Sequence, residues 1–204
     1  MRCLQSELPE DQVKALATTG KAATVLFRGS TVHNTLHGLA IPVGKDKKYT
    51  PLKSERLRQL QEKWKNVKVV FVDEMTMLKP HDLQHIHLRL QEVKACHQRI
   101  FGGIIVVLVG DTAQLPPVQG SALWTKVQSR MSDTEKNGLV LYQTNFTTVI
   151  ELDENNRLQR SDPDAALFHG FLNRLADGKC TKEDWLLVKH KSSHTTLGAE
   201  EWDN

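Results

Sequence analysis

Apolar positions along the chain fall into two kinds of pattern. Three short, nearly continuous runs rich in β-branched residues, Val67 to Val72, Ile104 to Val109 and Val149 to Leu152, read as strands. Lacking alternation, they suit strands covered on both faces, as in a parallel sheet. Between them apolar residues recur at helical spacing: Leu57, Leu60 and Trp64 behind a Ser54 cap, then Leu83, Ile86, Leu90 and Val93. Strand, helix and strand in that order predict an α/β fold with a central parallel sheet and right-handed crossovers. Such folds bind ligands at the carboxyl ends of their strands, which places the chemistry just after Val72 and Val109.

Towards the far end the pattern is helical only. Asp162 and Pro163 form a cap and first-turn pair for a helix carrying Leu167, Phe171, Leu172 and Leu175, which Gly178 stops. Thr181 starts another helix, with Asp184 at the capping-box position and Trp185, Leu186 and Val188 after it. The expected organisation is an α/β unit over residues 1–160 and a helical segment over 161–204, with Gly44 to Thr50 a solvated loop.

Composition adds little. A 204-residue chain that is 39% hydrophobic and 25% charged is an ordinary globular protein with one sizeable core. A formal net charge of +3 permits a nucleic-acid partner without demanding one. Cys3, Cys96 and Cys180 are an odd number with no Cys-x-x-Cys pair, which fits a reducing compartment and no zinc site. The opening residues lack the apolar core of a secretory signal, and no apolar run reaches the roughly 18 residues of a membrane span. The expectation is an intracellular protein with no membrane association.

Histidine pairs four apart, His33 with His37 and His81 with His85, have the spacing of two metal ligands on one helical face. No third ligand accompanies them, so hydrogen-bonded or solvated histidines are expected. His81 and His85 fall opposite the Leu83, Ile86 and Leu90 stripe and are predicted to be exposed.

Two strand ends carry the chemistry. In Val69-Val70-Phe71-Val72-Asp73-Glu74 an apolar strand delivers two carboxylates to its carboxyl end, which suggests a magnesium–nucleotide site. Asp73 would hold the magnesium shell. Glu74 would accept a proton from the water attacking the γ-phosphate, a role typically worth about 10²- to 10⁴-fold. A turn acid or helix cap is the alternative for this segment alone. The second strand ends in Gly110-Asp111-Thr112-Ala113-Gln114-Leu115-Pro116-Pro117-Val118, where the glycine allows a sharp turn and the prolines fix the loop. Gln114 both donates and accepts, so it can sense a γ-phosphate oxygen or orient the water.

These strings resemble motifs of the Pif/RecD-type superfamily 1 ATP-dependent DNA helicases. Residues 70–78 are similar to motif II and residues 110–118 to motif III. Ala17-Thr18-Thr19-Gly20-Lys21-Ala22-Ala23 resembles motif Ia, and Ser30-Thr31-Val32-His33-Asn34-Thr35-Leu36 the Thr-x-His segment after it. Glu151 to Leu158 is similar to motif IV, especially as found in Helitron-type helicases.

The resemblance implies a RecA-like P-loop NTPase motor domain, with ATP and Mg2+ as cofactors and single-stranded DNA and duplex junctions as partners. It implies 5′-to-3′ movement, roles in repair, recombination and telomere maintenance, and an intracellular monomer that, in a eukaryote, is placed in the nucleus with mitochondria as a second compartment. Arg157 becomes an arginine finger reaching the γ-phosphate. Thr19, Lys21, Thr31 and His33 become DNA contacts, since small hydroxyls, backbone amides and one lysine suit phosphates.

The sequence also departs from the family. It contains no Gly-x-x-x-x-Gly-Lys-[Ser/Thr] loop, because Lys21 is followed by Ala22 and the residue five before Gly20 is Ala15. Motifs V and VI have no counterpart either, so a motor domain incomplete at its N-terminus is expected. Two function classes follow: a helicase motor fragment, and a catalytically inactive single-stranded DNA-binding remnant of one.

Overall fold

The computed structural model describes residues 8–34, 38–42, 48–152 and 163–192. The chain falls into two compact units, Met1–Val149 and Ile150–Asn204.

The first unit is built on a parallel sheet of four strands: β1 (Val13–Ala17), β2 (Ser30–Thr31), β3 (Val69–Asp73) and β4 (Ile105–Leu108), in the order β2-β1-β3-β4. The register pairs Ala17 with both Thr31 and Asp73, and Val72 with Leu108. All four strands therefore end on one side. The α/β fold with a central parallel sheet is as the sequence predicts, and Val67–Val72 and Ile104–Val109 supply β3 and β4.

Among its described residues this unit has four α-helices: α1 (Gly20–Val25), α2 (Ser54–Trp64), α3 (Pro80–Val93) and α4 (Asp133–Asn145). Helix α2 buries Leu60 and Trp64, as its spacing predicts, and α3 buries Leu83, Ile86, Leu90 and Val93. These side chains join Leu16, Val70 and Val72 of the sheet in the main core. Ser54 is not the cap of α2 but its first residue; Lys53 precedes it as N-cap, without a side-chain bond. Helix α4 has no forerunner in the apolar pattern, yet a capping box marks its start: Ser132 N donates to Glu135 at 2.9 Å and Glu135 N to Ser132 Oγ at 3.3 Å. At Gly138 this helix comes so close to α3 that a Cβ would overlap the backbone of Pro80.

Three expectations are corrected. Val149–Leu152 forms no strand: its side chains stand in solvent, and the division between the two units falls within it. Without a neighbouring ladder an apolar run has nothing to pair with. Strand β4 is not covered on both faces. It is an edge strand among the described residues, half-buried, with Ile105 62% exposed. His81 and His85 are buried rather than exposed, at 7% and 1%. The side of α3 opposite its leucine stripe is roofed by the stretch around Tyr49, whose ring lies 5.6 Å from that of His85. A helix packed on two sides has no solvent face to predict.

The second unit holds α5 (Pro163–Ala176) and α6 (Lys182–Ser192). Gly178, at φ +68, ends the first helix as expected. The second begins with the predicted capping box: Thr181 N donates to Asp184 at 2.9 Å and Asp184 N to Thr181 Oγ1 at 3.3 Å. Arg174 also bonds Asp184, and this guanidinium, the first cause, holds the carboxyl far below the usual carboxylate range. Asp162, the expected cap of α5, lies outside the described residues. Among the described residues, no helix is long and apolar enough to cross a membrane.

Candidate functional site

The rim formed by the four strand ends collects most of the residues singled out above. At the end of β3, Asp73 and Glu74 are both half-buried. Asp73 Oδ1 accepts from the Glu74 N–H at 2.9 Å, which leaves Oδ2 as the oxygen free of that bond. Glu74 turns the chain in the left-handed conformation, φ 56 and ψ 46, and a 3₁₀ turn over Met75–Met77 follows. A left-handed residue with a Cβ costs free energy and persists only where neighbours hold it.

Those neighbours are identifiable. Thr18, one residue past the Ala17–Asp73 pair, donates its N–H to Asp73 O at 3.4 Å and its hydroxyl to Glu74 O at 3.1 Å. From the other side Met75 N donates to Val109 O at 2.9 Å. Gly110 stands against this turn: a Cβ there would lie 2.7 Å from Met75 Cγ and 3.1 Å from Met75 N. The φ of this glycine is not positive, so no left-handed backbone calls for it. The close approach to Met75 requires it.

Thr18 was not singled out by its residue type, because a threonine before a helix reads as an ordinary cap. Its neighbour Thr19 is that cap, with Oγ1 accepting from Ala22 N at 3.2 Å at the start of α1. The signal that finds Thr18 is register: a strand ending in Ala17 and paired with one ending in Asp73 must place Thr18 beside Glu74.

The other candidates are placed as follows. Lys21 is exposed on the first turn of α1. Thr31 ends β2, half-buried, next to Ala17. His33 is half-buried, with Nδ1 3.3 Å from Ile41 O. Gln114 is exposed in the loop after β4, where its N–H donates to Asp111 O at 2.9 Å and the Asp111 carboxylate accepts from Ala113 N at 2.9 Å. Sheet register thus brings Thr18, Thr19, Thr31, Asp73, Glu74 and Gly110 to one rim. Arg157 lies outside the described residues.

The donor set bears on magnesium. Among the described residues, no group of three or more His, Cys, Asp or Glu side chains is arranged to hold a metal ion. Two adjacent carboxylates are too few for a metal cage made by protein alone. They are the usual complement where phosphate oxygens and water provide the remaining ligands of Mg2+. Asp73 would therefore suit a cation shared with a nucleotide, with Glu74 beside it left to act on a proton.

Comparison with known proteins decides the family. The family model described as PIF1-like helicase matches residues 1–185. The chain belongs to the PIF1-like helicase family. Among curated relatives, the ATP-dependent DNA helicase PIF1 of Saccharomyces cerevisiae is 33% identical over 119 residues, covering 58% of this chain and 13% of the relative. The Pif1 helicase of Bdellovibrio bacteriovorus is 34% identical over 119 residues, covering 58% of this chain and 26% of the relative. Among solved structures, the Bacteroides Pif1 helicase in complex with ADP-AlF3 and single-stranded DNA superposes with a TM-score of 0.63 at 21% identity. That match covers 100% of this chain and 44% of the other. The PIF1-like chain thus shares the RecA-like motor fold and spans less than half the length of these relatives.

Proposed function

We propose that this PIF1-like chain is the hydrolytic core segment of an ATP-dependent DNA helicase that moves 5′-to-3′ along single-stranded DNA and opens duplex junctions. The observation that carries the reading is the pair Asp73–Glu74, held at the end of the central strand β3 by Thr18 and Met75. The yeast relative is named an ATP-dependent DNA helicase, and the Bacteroides structure is described as a complex with ADP-AlF3 and single-stranded DNA.

In this reading Asp73 binds a magnesium ion that the nucleotide brings, and that ion supplies charge neutralisation at the β- and γ-phosphates. Glu74 takes the proton of the attacking water. Its left-handed backbone sets the direction of the carboxylate, so the hydrogen bonds to the turn serve catalysis by orientation. Gln114, on the loop after β4, reads the γ-phosphate, and Arg157 stabilises charge on the transferring group. Thr19, Lys21, Thr31 and His33 form the DNA track. Repair, recombination and telomere maintenance are the fitting roles, carried out by a monomer that in a eukaryote works in the nucleus or mitochondria.

The test is Glu74→Gln in a protein that joins these residues to a phosphate-cradling loop. DNA-stimulated ATP hydrolysis should fall by about 10²- to 10⁴-fold, with nucleotide binding retained. Undiminished turnover would sink the assignment.

A second reading is favoured by one observation, the absence of a Gly-x-x-x-x-Gly-Lys sequence from residues 1–204. It makes the chain a non-catalytic single-strand binder. It predicts salt-sensitive binding of oligothymidylate by residues 1–204 without ATP turnover, and tight nucleotide binding by the same chain would refute it.

A further inference from the structure

Arg89 is 1% exposed and lies on α3. Burying a guanidinium is costly unless its donors are met. Nη1 donates to the Glu92 carboxylate at 2.6 Å, and the ion lies over the Tyr49 ring at 4.9 Å from the centroid. Nη2 reaches main chain instead: it donates to Thr50 O at 3.0 Å and to Ala40 O at 3.4 Å. A buried arginine anchored on two carbonyls of irregular backbone holds that backbone in place.

The backbone it holds leads back to the DNA track. Leu39 N donates to Val32 O at 3.1 Å, Ala40 N to Asn34 O at 3.1 Å, and Val32 N to Ala17 O at 3.0 Å. His33 Nδ1 is 3.3 Å from Ile41 O, the carbonyl next to the one that Arg89 grips. Ala40 itself is left-handed, at φ 52, a conformation that an alanine keeps only under outside constraint. Arg89 supplies that constraint at the Ala40 carbonyl.

We infer that Arg89 is a positioning residue for single-stranded DNA binding: by gripping the carbonyls of Ala40 and Thr50 it fixes the segment that presents Thr31 and His33. The inference rests on the DNA-binding reading of those two residues. A lysine cannot replace the fork, because a single ammonium does not span two carbonyls and a carboxylate with fixed geometry.

The experiment is a pair of double-mutant cycles on residues 1–204, read by fluorescence anisotropy with an oligothymidylate of about 15 nucleotides. Arg89→Met, which keeps the apolar stem, should weaken binding about tenfold. Combined with His33→Ala it should weaken binding no further than Arg89→Met alone, whereas combined with Lys21→Ala the two losses should multiply. Losses that multiply in both cycles would mean general damage and overturn the inference, as would an Arg89→Met protein with unchanged affinity. Should Arg89→Met not fold, Arg89→Lys enters the same cycles with an expected loss of about threefold.

If the unaltered chain does not bind the oligonucleotide, the DNA reading fails and the role in DNA binding falls with it, while amide hydrogen exchange reads separately the hold of Arg89 on the segment. The arginine variants should lose protection at Val32, Leu39 and Ala40 while Val70 and Val72 keep theirs. Equal protection at all five amides would overturn it.

Discussion

Gly138→Ala adds one methyl group where helix α4 rests on the first residue of α3. In isolation the change favours a helix, by about 1 kcal/mol, since glycine is the poorer helix former. At this position the new Cβ would overlap the carbonyl of Pro80 and come 2.5 Å from its carbonyl carbon. The obstacle is backbone, so no rotamer change relieves it and the two helices must separate. Overpacking of that kind costs about 1–3 kcal/mol, and contact with main chain belongs at the upper end. The net expectation is a destabilisation of about 2 kcal/mol. With a urea m-value of about 2–3 kcal/mol/M, the midpoint should drop by about 0.7–1 M.

The assay is urea unfolding followed by tryptophan emission, to which Trp64 reports as a fully buried ring of this unit. Gly20→Ala is the matched control, because a Cβ at Gly20 meets nothing within 4 Å. It should be neutral or slightly stabilising. A Gly138→Ala midpoint equal to or above that of the unaltered protein would refute the close-packing argument.

Two further outcomes are expected. His85 and His87 are both held below the ordinary histidine value of 6.5 by burial, so below that pH the unfolded chain takes up protons that the folded one refuses. Stability should therefore decline from pH 6.5 downward, with a ceiling of about 1.4 kcal/mol per pH unit for each histidine; a flat urea-unfolding profile between pH 7.5 and 5.5 would contradict this. Gly110→Ala should push Met75 away from the end of β4 and loosen the Glu74 turn at a cost of about 1–3 kcal/mol. Faster amide exchange at Met75 would register it, and unchanged exchange there would count against the packing.

What the sequence made legible was the part governed by long, uninterrupted patterns. The runs ending in Val72 and Val109 became β3 and β4, and the stripes through Leu60 and Leu90 became the buried faces of α2 and α3. The carboxylate pair could be placed because it follows such a run. Strand β1 escaped notice because Val13-Lys14-Ala15-Leu16-Ala17 carries little β-branched character and owes its place to pairing on both sides. The buried histidines escaped for a related reason. Helical periodicity identifies the face turned to the sheet, and it is silent about a second covering layer. Here that layer includes the Tyr49 ring against His85, in a stretch with no helical or strand periodicity to announce it. The run at Val149 shows the converse, since hydrophobicity alone does not make a strand when no neighbouring ladder receives it.

Among the described residues β4 has a neighbouring strand on one side only, and that open side governs how this chain behaves in a tube. Among the described residues, Ile105, Val106, Val107 and Leu108 line an edge with no proline or lysine in the strand to blunt it, and Ile105 already faces water. An unprotected apolar edge is a template for intermolecular strand addition. Concentration then becomes an experimental variable: soluble preparations of residues 1–204 call for low micromolar stocks and gel-filtration checks before any binding curve is read. Turbidity in such a sample would report on this strand before it reported on nucleotide or DNA.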